Sequence, residues 1–558
     1  MVVLLCAAFM SLGLVNLDFS RNWWRGQRYR LAVGVPLVLV YAYVAMPPLV
    51  MPQAIVLLLL TLVPNVVLTG LIAARMAIVS RRVVSIRRPP LVPYLLALGA
   101  VGLFAAILEV APVVDATGLR DVPLVAFSDA APPPADMRHL RVVPEESAVF
   151  AGEKVIGQLG TYYSVGTYNV QVERGRLVWV APLEFQGIIQ WLSRGTSPGV
   201  IVVSAENPDA PPELRQRSAM RYIPSARLNY NLYRHVYFRY GTEQILETTL
   251  QLDDQGDPQY LCTLGRPTIG WSGQKVTAVV IVDPATGAMR RVARADFATL
   301  PRWVSRVYPT DLALDYNEWF GLYVHGWWNA QLAKRDVHVP ARDEVFGLLA
   351  TADHFVWFVD HTSPTATNQS MTGYTYMDTV DGGITYYTAS GGQFDSMGAE
   401  QAVASNPTVR QGRLVPTQPI LYNVYGQATW IVPLVADTGK YQSLALVQAA
   451  NGRVVVGNAA AASPRDDAFA QYRAILGGAI PGGAGSQADF SGVIDRIATA
   501  GASVYFTLRG DRRIYIVGAG DDPRVLLARA GDRVAFHAAP DEAGRFAVSG
   551  FRDGSLAP

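Results

Sequence analysis

Val276-Thr-Ala-Val-Val-Ile-Val-Asp-Pro-Ala-Thr-Gly-Ala-Met-Arg-Arg-Val292 sets two β-forming runs on either side of a five-residue turn, 283–287. Branched residues suit a pleated, half-buried surface, and Asp, Pro and Gly supply turn geometry, so the segment reads as a β-hairpin. The arrangement recurs three times: 168–172 and 176–180 around Glu173-Arg174-Gly175, 374–380 and 384–388 around Asp381-Gly382-Gly383, and 441–449 and 453–456 around Asn451-Gly452. Helical stretches lie between the hairpins. Residues 184–194 place Phe185, Ile188, Ile189 and Leu192 at helical spacing, and Thr310 is a candidate cap for a helix over 311–320. Ser463, Pro464 and Asp466 supply a cap, a first-position proline and a first-turn acid for a third helix. The expected class is α+β, and four hairpins point to related modules.

Towards the C-terminus, the glycine-rich run 477–488 reads as a flexible linker, and 489–558 as a separate small domain. Five short strands are predicted there, at 492–497, 504–508, 513–517, 533–537 and 545–551. With the Ala530-Gly531-Asp532 turn before the fourth, they suit a small OB-like β-barrel. The α+β part divides on this reading into a first region, 137–300, and a second, 301–476. Ala130-Ala131-Pro132-Pro133-Pro134-Ala135 stiffens a spacer over 115–136.

The N-terminal 114 residues differ in kind. Of 558 residues, half are hydrophobic and only 16% charged, and the mean hydropathy is +0.19; this excludes a disordered chain and implies a membrane part. Four uncharged apolar runs, 1–17, 31–51, 54–74 and 91–108, are each near the length a helix needs to cross ~30 Å of hydrocarbon. The first lacks the basic start and small-residue cleavage site of a signal peptide, so an uncleaved helix is expected. This segment holds nine arginines, no lysine and only Asp18 and Glu109, a net charge of +7, which leaves −5 for the remainder. The large remainder therefore gives no overall electrostatic case for nucleic acid. Arg21, Arg25, Arg28 and Arg30 follow the first run, and Arg81, Arg82, Arg87 and Arg88 follow the third. Both loops are expected to be cytoplasmic, with the uncharged hairpin at Pro47-Pro48 and both termini on the other side. Trp23 and Trp24 beside the first basic cluster suit the headgroup layer. Asn65 and Glu109 invite a transport reading, but an Asn can bond a neighbouring helix and Glu109 can reach the interface. Gly99, Ala100, Gly102, Ala105 and Ala106 give the fourth run a small-residue stripe that permits close helix contact, within the bundle or with another copy.

The Val276–Val292 hairpin resembles the closing hairpin of PepSY-type modules, small α+β units of bacterial membrane and secreted proteins, and residues 445–455 are similar. The resemblance implies an envelope location and regulatory or interaction roles, and carries over no catalytic residue. Long insertions between the units depart from the family pattern.

Chemistry-bearing motifs are sparse. Cys6 and Cys262 lie in unlike segments, so neither a disulfide framework nor a cysteine metal site is expected. Trp319, Tyr323, His325, Trp327 and Trp328 form the densest aromatic segment, able to stack sugars or make a protein interface, or else to pack a core. His354 and His361, with Asp353 and Asp360, bracket a strand; at seven residues apart they face opposite sides, which argues against a shared metal. Tyr505, Phe506 and Tyr515 with Arg509, Arg512 and Arg513 would give the barrel a single-strand platform, although alternation sends some of these rings to the core. Gly270-Trp271-Ser272-Gly273 lacks the spacing of a nucleophile elbow, and Asp253-Asp254 and Asp466-Asp467 sit where turns and helix starts favour acids. No catalytic residue, cofactor or metal is inferred. The expected protein is a multi-pass membrane-anchored envelope scaffold or binding protein, its large part extracytoplasmic, its partners membrane lipid and either further copies or other envelope proteins. An envelope enzyme acting on glycan or peptide is the first alternative. A single-stranded DNA or polymer transfer component using the barrel is the second.

Overall fold

The computed structural model describes residues 1–17, 23–80, 91–129, 134–216, 219–351, 354–364, 369–389, 391–476, 488–500, 503–518, 523–540 and 546–555. The linker 477–487, Arg21, the cluster Arg81 to Arg88, Asp353 and most of the Ala130–Ala135 run lie outside them. The chain forms two compact units, Met1–Ala130 with Met137–Ser390, and Ala131–Asp136 with Gly391–Pro558. Their division falls at residue 390, inside the second α+β region read from the sequence.

The first unit opens with α1 (Val2–Ser11), prolonged by one 3-10 turn to Leu14, then α2 (Trp23–Ala45), α3 (Met51–Ser80) and α4 (Val92–Val114). Three helices are long and apolar enough to cross a membrane, at Trp23–Ala45, Met51–Met76 and Val92–Val114; the apolar stretch Val2–Leu14 is shorter. α2 begins before the predicted span, so Arg25, Arg28 and Arg30 are helical and not in a loop. The cause is internal pairing: the Arg30 guanidinium donates to Asn65 Oδ1 at 2.9 Å, Thr69 Oγ1 at 3.0 Å and the Tyr94 hydroxyl at 3.2 Å. Asn65 in turn donates to the carbonyls of Gly13 and Val15, and Tyr94 to Asn16 Oδ1. Carbonyls left open where α1 ends thus find donors from α3, and Arg30 of α2 holds the donating Asn65 in place.

After α5 (Ala116–Arg120) and the strand β1 (Val125–Ser128) come three helix-and-sheet sets. α6 (Glu145–Ile156) and α7 (Ile188–Arg194) accompany β2 (Tyr163–Val165), β3 (Asn169–Glu173), β4 (Arg176–Phe185), β5 (Val200–Ser204) and β6 (Glu213–Arg215), an antiparallel sheet in which β4 takes both β2 and β3 on one edge. α8 (Leu232–Tyr240) precedes the meander β7 (Gln244–Leu252), β8 (Pro258–Arg266), β9 (Lys275–Val282) and β10 (Met289–Ala293). α9 (Thr310–Leu322) and the short α10 (Gly326–Trp328) precede β11 (Val339–Pro340), β12 (Phe346–Thr351), β13 (His354–Thr362), β14 (Met371–Asp378) and β15 (Ile384–Thr388), with β1 joining β15 in parallel. The opening hairpin is β9–β10, in register from Val282 with Met289. Asp283 accepts from the Ala285 amide and the Thr286 hydroxyl in its turn, and Gly287 takes the φ of +77° that closes it.

Strand period two explains why β4 over 177–183 and β9 over 278–282 are apolar on both faces. Leu177, Trp179, Ala181 and Leu183 enter one core, shared with α9 and the third sheet, while Val178 and Val180 enter a second, between the first and second sheets. Val279 and Ile281 divide from Ala278, Val280 and Val282 in the same way. Two helix starts differ from the sequence reading. Glu184 and Phe185 close strand β4, where Phe185 pairs with Tyr163, so α7 starts only at Ile188. Thr310 is the first residue of α9, whose N-cap is Pro309 without a side-chain bond.

In the second unit, α11 (Ser396–Ala404), α12 (Pro407–Gln411) and α13 (Pro464–Leu476) flank an antiparallel sheet of β16 (Val415–Pro416), β17 (Ile420–Val424), β18 (Gln427–Val435), β19 (Tyr441–Gln448) and β20 (Val454–Val456). Ser463 Oγ accepts from the Asp466 amide at 3.2 Å, the expected cap. All four hairpins predicted from the sequence are antiparallel strand pairs, one in each sheet. The C-terminal strands β21 (Ala488–Ala500), β22 (Ser503–Leu508), β23 (Tyr515–Gly518), β24 (Arg533–Pro540) and β25 (Phe546–Asp553) close a barrel in the order β21-β22-β23-β25-β24, with β23 and β25 parallel. Phe506, Tyr515, Phe536 and Phe551 fill it.

Candidate functional site

A charged residue on the β4 face that carries Val178 and Val180 into the second core is Glu184, half-buried near the end of the strand. Its carboxylate accepts from the Ser225 amide at 2.9 Å, and Ser225 Oγ accepts from the Phe185 amide at 2.9 Å, so strand end and loop hold one another. Around it lies a cleft of about 300 Å³ between the first two sheets. Thr167 enters from the β2–β3 connection, Asn169 from the start of β3, Tyr233 from α8, Thr248 and Leu250 from β7, and Tyr260 from β8. Burial pushes the Glu184 carboxyl above its usual range, offset in part by Ser225. The fully buried Tyr260 hydroxyl lies beside it without a well-formed hydrogen bond. The Tyr233 hydroxyl accepts from Thr248 at 2.8 Å, and Asn169 Oδ1 accepts from Arg306. Among the described residues Glu184 is the one carboxylate lining the cleft, and no His or Cys lines it. Such a lining can hold a small polar group through hydroxyl, amide and carboxyl contacts.

A second polar cluster lies inside the third set. His361, fully buried on β13, approaches His338 with their Nδ1 atoms 2.9 Å apart, and its Nε2 is 3.0 Å from Asn317 Oδ1. Asn317 donates through Nδ2 to the Ala313 carbonyl, and its Oδ1 also accepts from Thr375 Oγ1 at 2.6 Å. An oxygen facing His361 assigns the tautomers: His361 donates from Nε2, so its Nδ1 accepts from Nδ1–H of His338. Burial holds both rings neutral, His338 down to about 4 and His361 well below its usual range. Gly321 makes room for this pair, since a Cβ there would stand 2.6 Å from His338 Nδ1 and closer still to the His338 carbonyl.

Of the residues singled out in the sequence, His361 belongs to the second cluster, and the candidate binding residues lie apart from both. Trp319 is buried in the core beside Tyr316, Tyr323 and Trp327 are half-buried, and Trp328 is exposed. His325 pairs with Asp336 at 3.0 Å on the surface. His354 faces Asp378 at 2.8 Å, on the opposite side of β13 from His361. In the barrel, Tyr515 is buried and its hydroxyl donates to Asp511, which Arg513 also binds at 2.9 Å; those hydrogen bonds draw the Asp511 carboxyl down to about 2. Tyr505 is half-buried and Arg512 exposed. Asn65 is enclosed among the apolar N-terminal helices, whereas Gly99 and Gly102 face away from them, with nothing within 4 Å of a Cβ. Among the described residues no group of His, Cys, Asp and Glu could hold a metal ion. Cys6 and Cys262 are free and buried. The sequence reading missed Glu184 as a cleft residue and His338 as the partner of His361. Only the interruption of apolar alternation at Glu184 and His361 marks either position locally.

No family model matches the chain, and no curated protein matches it. Among solved structures, a Bombyx mori GH32 beta-fructofuranosidase mutant in complex with sucrose aligns over 73% of this chain and 92% of its own, at 10% identity and a TM-score of 0.17. A likeness that weak carries no argument about either chain's fold or activity.

Proposed function

We propose that the chain is a membrane-anchored scaffold or binding protein of a bacterial-type cell envelope, with the parts beyond the membrane helices extracytoplasmic and no catalytic activity inferred. The observation that carries this is the seating of the first unit's sheets on its apolar helices. The Tyr237 hydroxyl donates to the Pro47 carbonyl at 2.8 Å and lies 3.3 Å from Cys6 Sγ, and the Leu49 amide donates to the Gly241 carbonyl at 2.7 Å. The loop at Gly270 packs on Leu108 at the other end of the same face. Hairpin 46–50 and the end of α4 therefore share the side of the sheets, while Trp23, Arg25, Arg28 and Arg30 stand at the opposite helix ends. A basic cytoplasmic side then puts the sheets outside. In this reading α1 is the short fourth member of the membrane bundle. The helix-and-meander sets are PepSY-like modules, and the five-stranded barrel, with its strand order and one parallel pair, is OB-like. The cleft at Glu184 is the seat for a small polar ligand or a partner's polar side chain. Outward-facing Gly99 and Gly102 leave α4 open to a second copy or another envelope protein.

The test is protease treatment of intact spheroplasts. Digestion of epitopes placed beyond residue 137 is expected without lysis; protection of those epitopes until the membrane is broken overturns the reading.

A further inference from the structure

The first unit carries an apolar lip next to its membrane helices. α4 ends at Val114 and α5 begins at Ala116, so α5 lies directly beyond the end of a helix apolar enough to span a bilayer. α10 packs on α5, with Gly326 against the Thr117 methyl group. From that contact the chain runs through Trp328 and the helical turn Asn329–Ala333, exposing Trp328 at 72% and Leu332 at 74%. Four residues apart on helical backbone, the two share a face. The Trp327 ring meets Trp328 edge-on at 4.8 Å and braces it. Lys334 and Arg335, both exposed, follow at once. Val114 and Leu124, at either end of the α5 segment, are exposed at 80% and 72%. Two large apolar side chains in the open are costly in water, whereas an indole with its polar edge is stable among lipid headgroups and a cation gains from anionic ones.

We propose that Trp328 and Leu332 insert into the headgroup layer of the membrane entered by α4, with Lys334 and Arg335 on lipid phosphates. The occupant is lipid because this surface is continuous with the exposed apolar side of α4 and presents an indole and a leucine beside Lys334 and Arg335, the latter 3.6 Å from Asp336 and able to exchange that partner for a phosphate. The inference rests on the membrane-anchored reading above.

The two can be tested separately with nitroxide labels on the full chain in nanodiscs, since native Cys6 and Cys262 are buried and leave an introduced cysteine as the reactive one. Leu103→Cys, on the exposed side of α4, reports the anchor, and Asp254→Cys, at the far end of β7 about 30 Å from the Gly241 contact, reports solvent. For Leu332→Cys the ratio of collisions with oxygen to those with a nickel chelate is expected several-fold above the Asp254→Cys value and below that of Leu103→Cys. Lys334→Glu with Arg335→Glu should lower it in phosphatidylglycerol discs and leave it unchanged in phosphatidylcholine discs. A solvent-like ratio at Leu103→Cys would overturn the anchor itself. A lipid-like ratio at Leu103→Cys with a solvent-like one at Leu332→Cys would overturn the lip alone, as would the same fall in both lipids after charge reversal.

Discussion

Gly321 and His361 show how one side chain constrains another from a distant part of the chain. Gly321→Ala puts a methyl group against both the His338 carbonyl and its ring, so it should cost about 1–3 kcal/mol through overpacking. Gly99→Ala, with open space at its Cβ, is the control. Chemical denaturation in detergent should separate the two; equal midpoints would mean that the His338 contact yields freely. The His338–His361 pair also fixes a pH dependence. Both rings are neutral in the fold, with His338 held near 4 and His361 well below its usual range, so below about 6.5 the unfolded chain binds more protons than the folded one. Stability should be full above about 6.5 and fall as the pH drops towards 4. His361→Gln should make that fall shallower, and an unchanged slope would place the acid sensitivity elsewhere. Neither residue's role was legible in the sequence. His338 and His361 are 23 positions apart, the first in the loop just before β11 and the second on β13, and the local sequence pairs His361 only with His354, which lies on the other face of the same strand.

At the scale of elements, local pattern served well wherever the determinants are local. The four hairpins are coded by their own turns and branched residues, and the barrel strands by short alternating runs between glycines. α2 was mis-bounded because an arginine reads as a loop residue until the acceptors on α3 and α4 are known. The junction of α8 with the membrane helices was equally hidden, since Tyr237 looks like an ordinary helix aromatic. Tyr237→Phe keeps the ring and removes the shorter of two bonds to the Pro47 carbonyl, leaving it the Cys6 thiol at 3.7 Å, at a cost of about 1 kcal/mol. Accelerated hydrogen exchange across α8 and the amide of Leu49, with β14 unaffected, is the expected signature. Unchanged exchange at both would show that the apolar contacts of Val2, Ala42 and Tyr237 suffice.

For the molecule as a whole, composition separated the membrane-type helices from the sheets, and the closed barrel followed from strand count. The cleft at Glu184 did not, because its lining comes from six separate stretches between Gly166 and Tyr260 and no single stretch reveals it. The barrel has its own core, so a fragment starting at residue 488 should fold by itself and melt cooperatively. Phe506→Ala in that fragment should cost about 3–5 kcal/mol, enough to unfold a domain of this size at ambient temperature. A fragment with no cooperative transition would show that its closure depends on the rest of the chain.

The bond between Tyr237 and Pro47 joins residues 190 positions apart, and the contact with Cys6 spans 231. At a synthesis rate of roughly 5–20 residues per second, Tyr237 emerges on the order of 10–40 s after the hairpin it closes. α1 and the 46–50 hairpin are therefore made early and finished late. In that interval their inner surfaces have only lipid or the insertion machinery for cover, which makes a pause in translation before residue 237 the moment at which the nascent protein is most exposed to quality control.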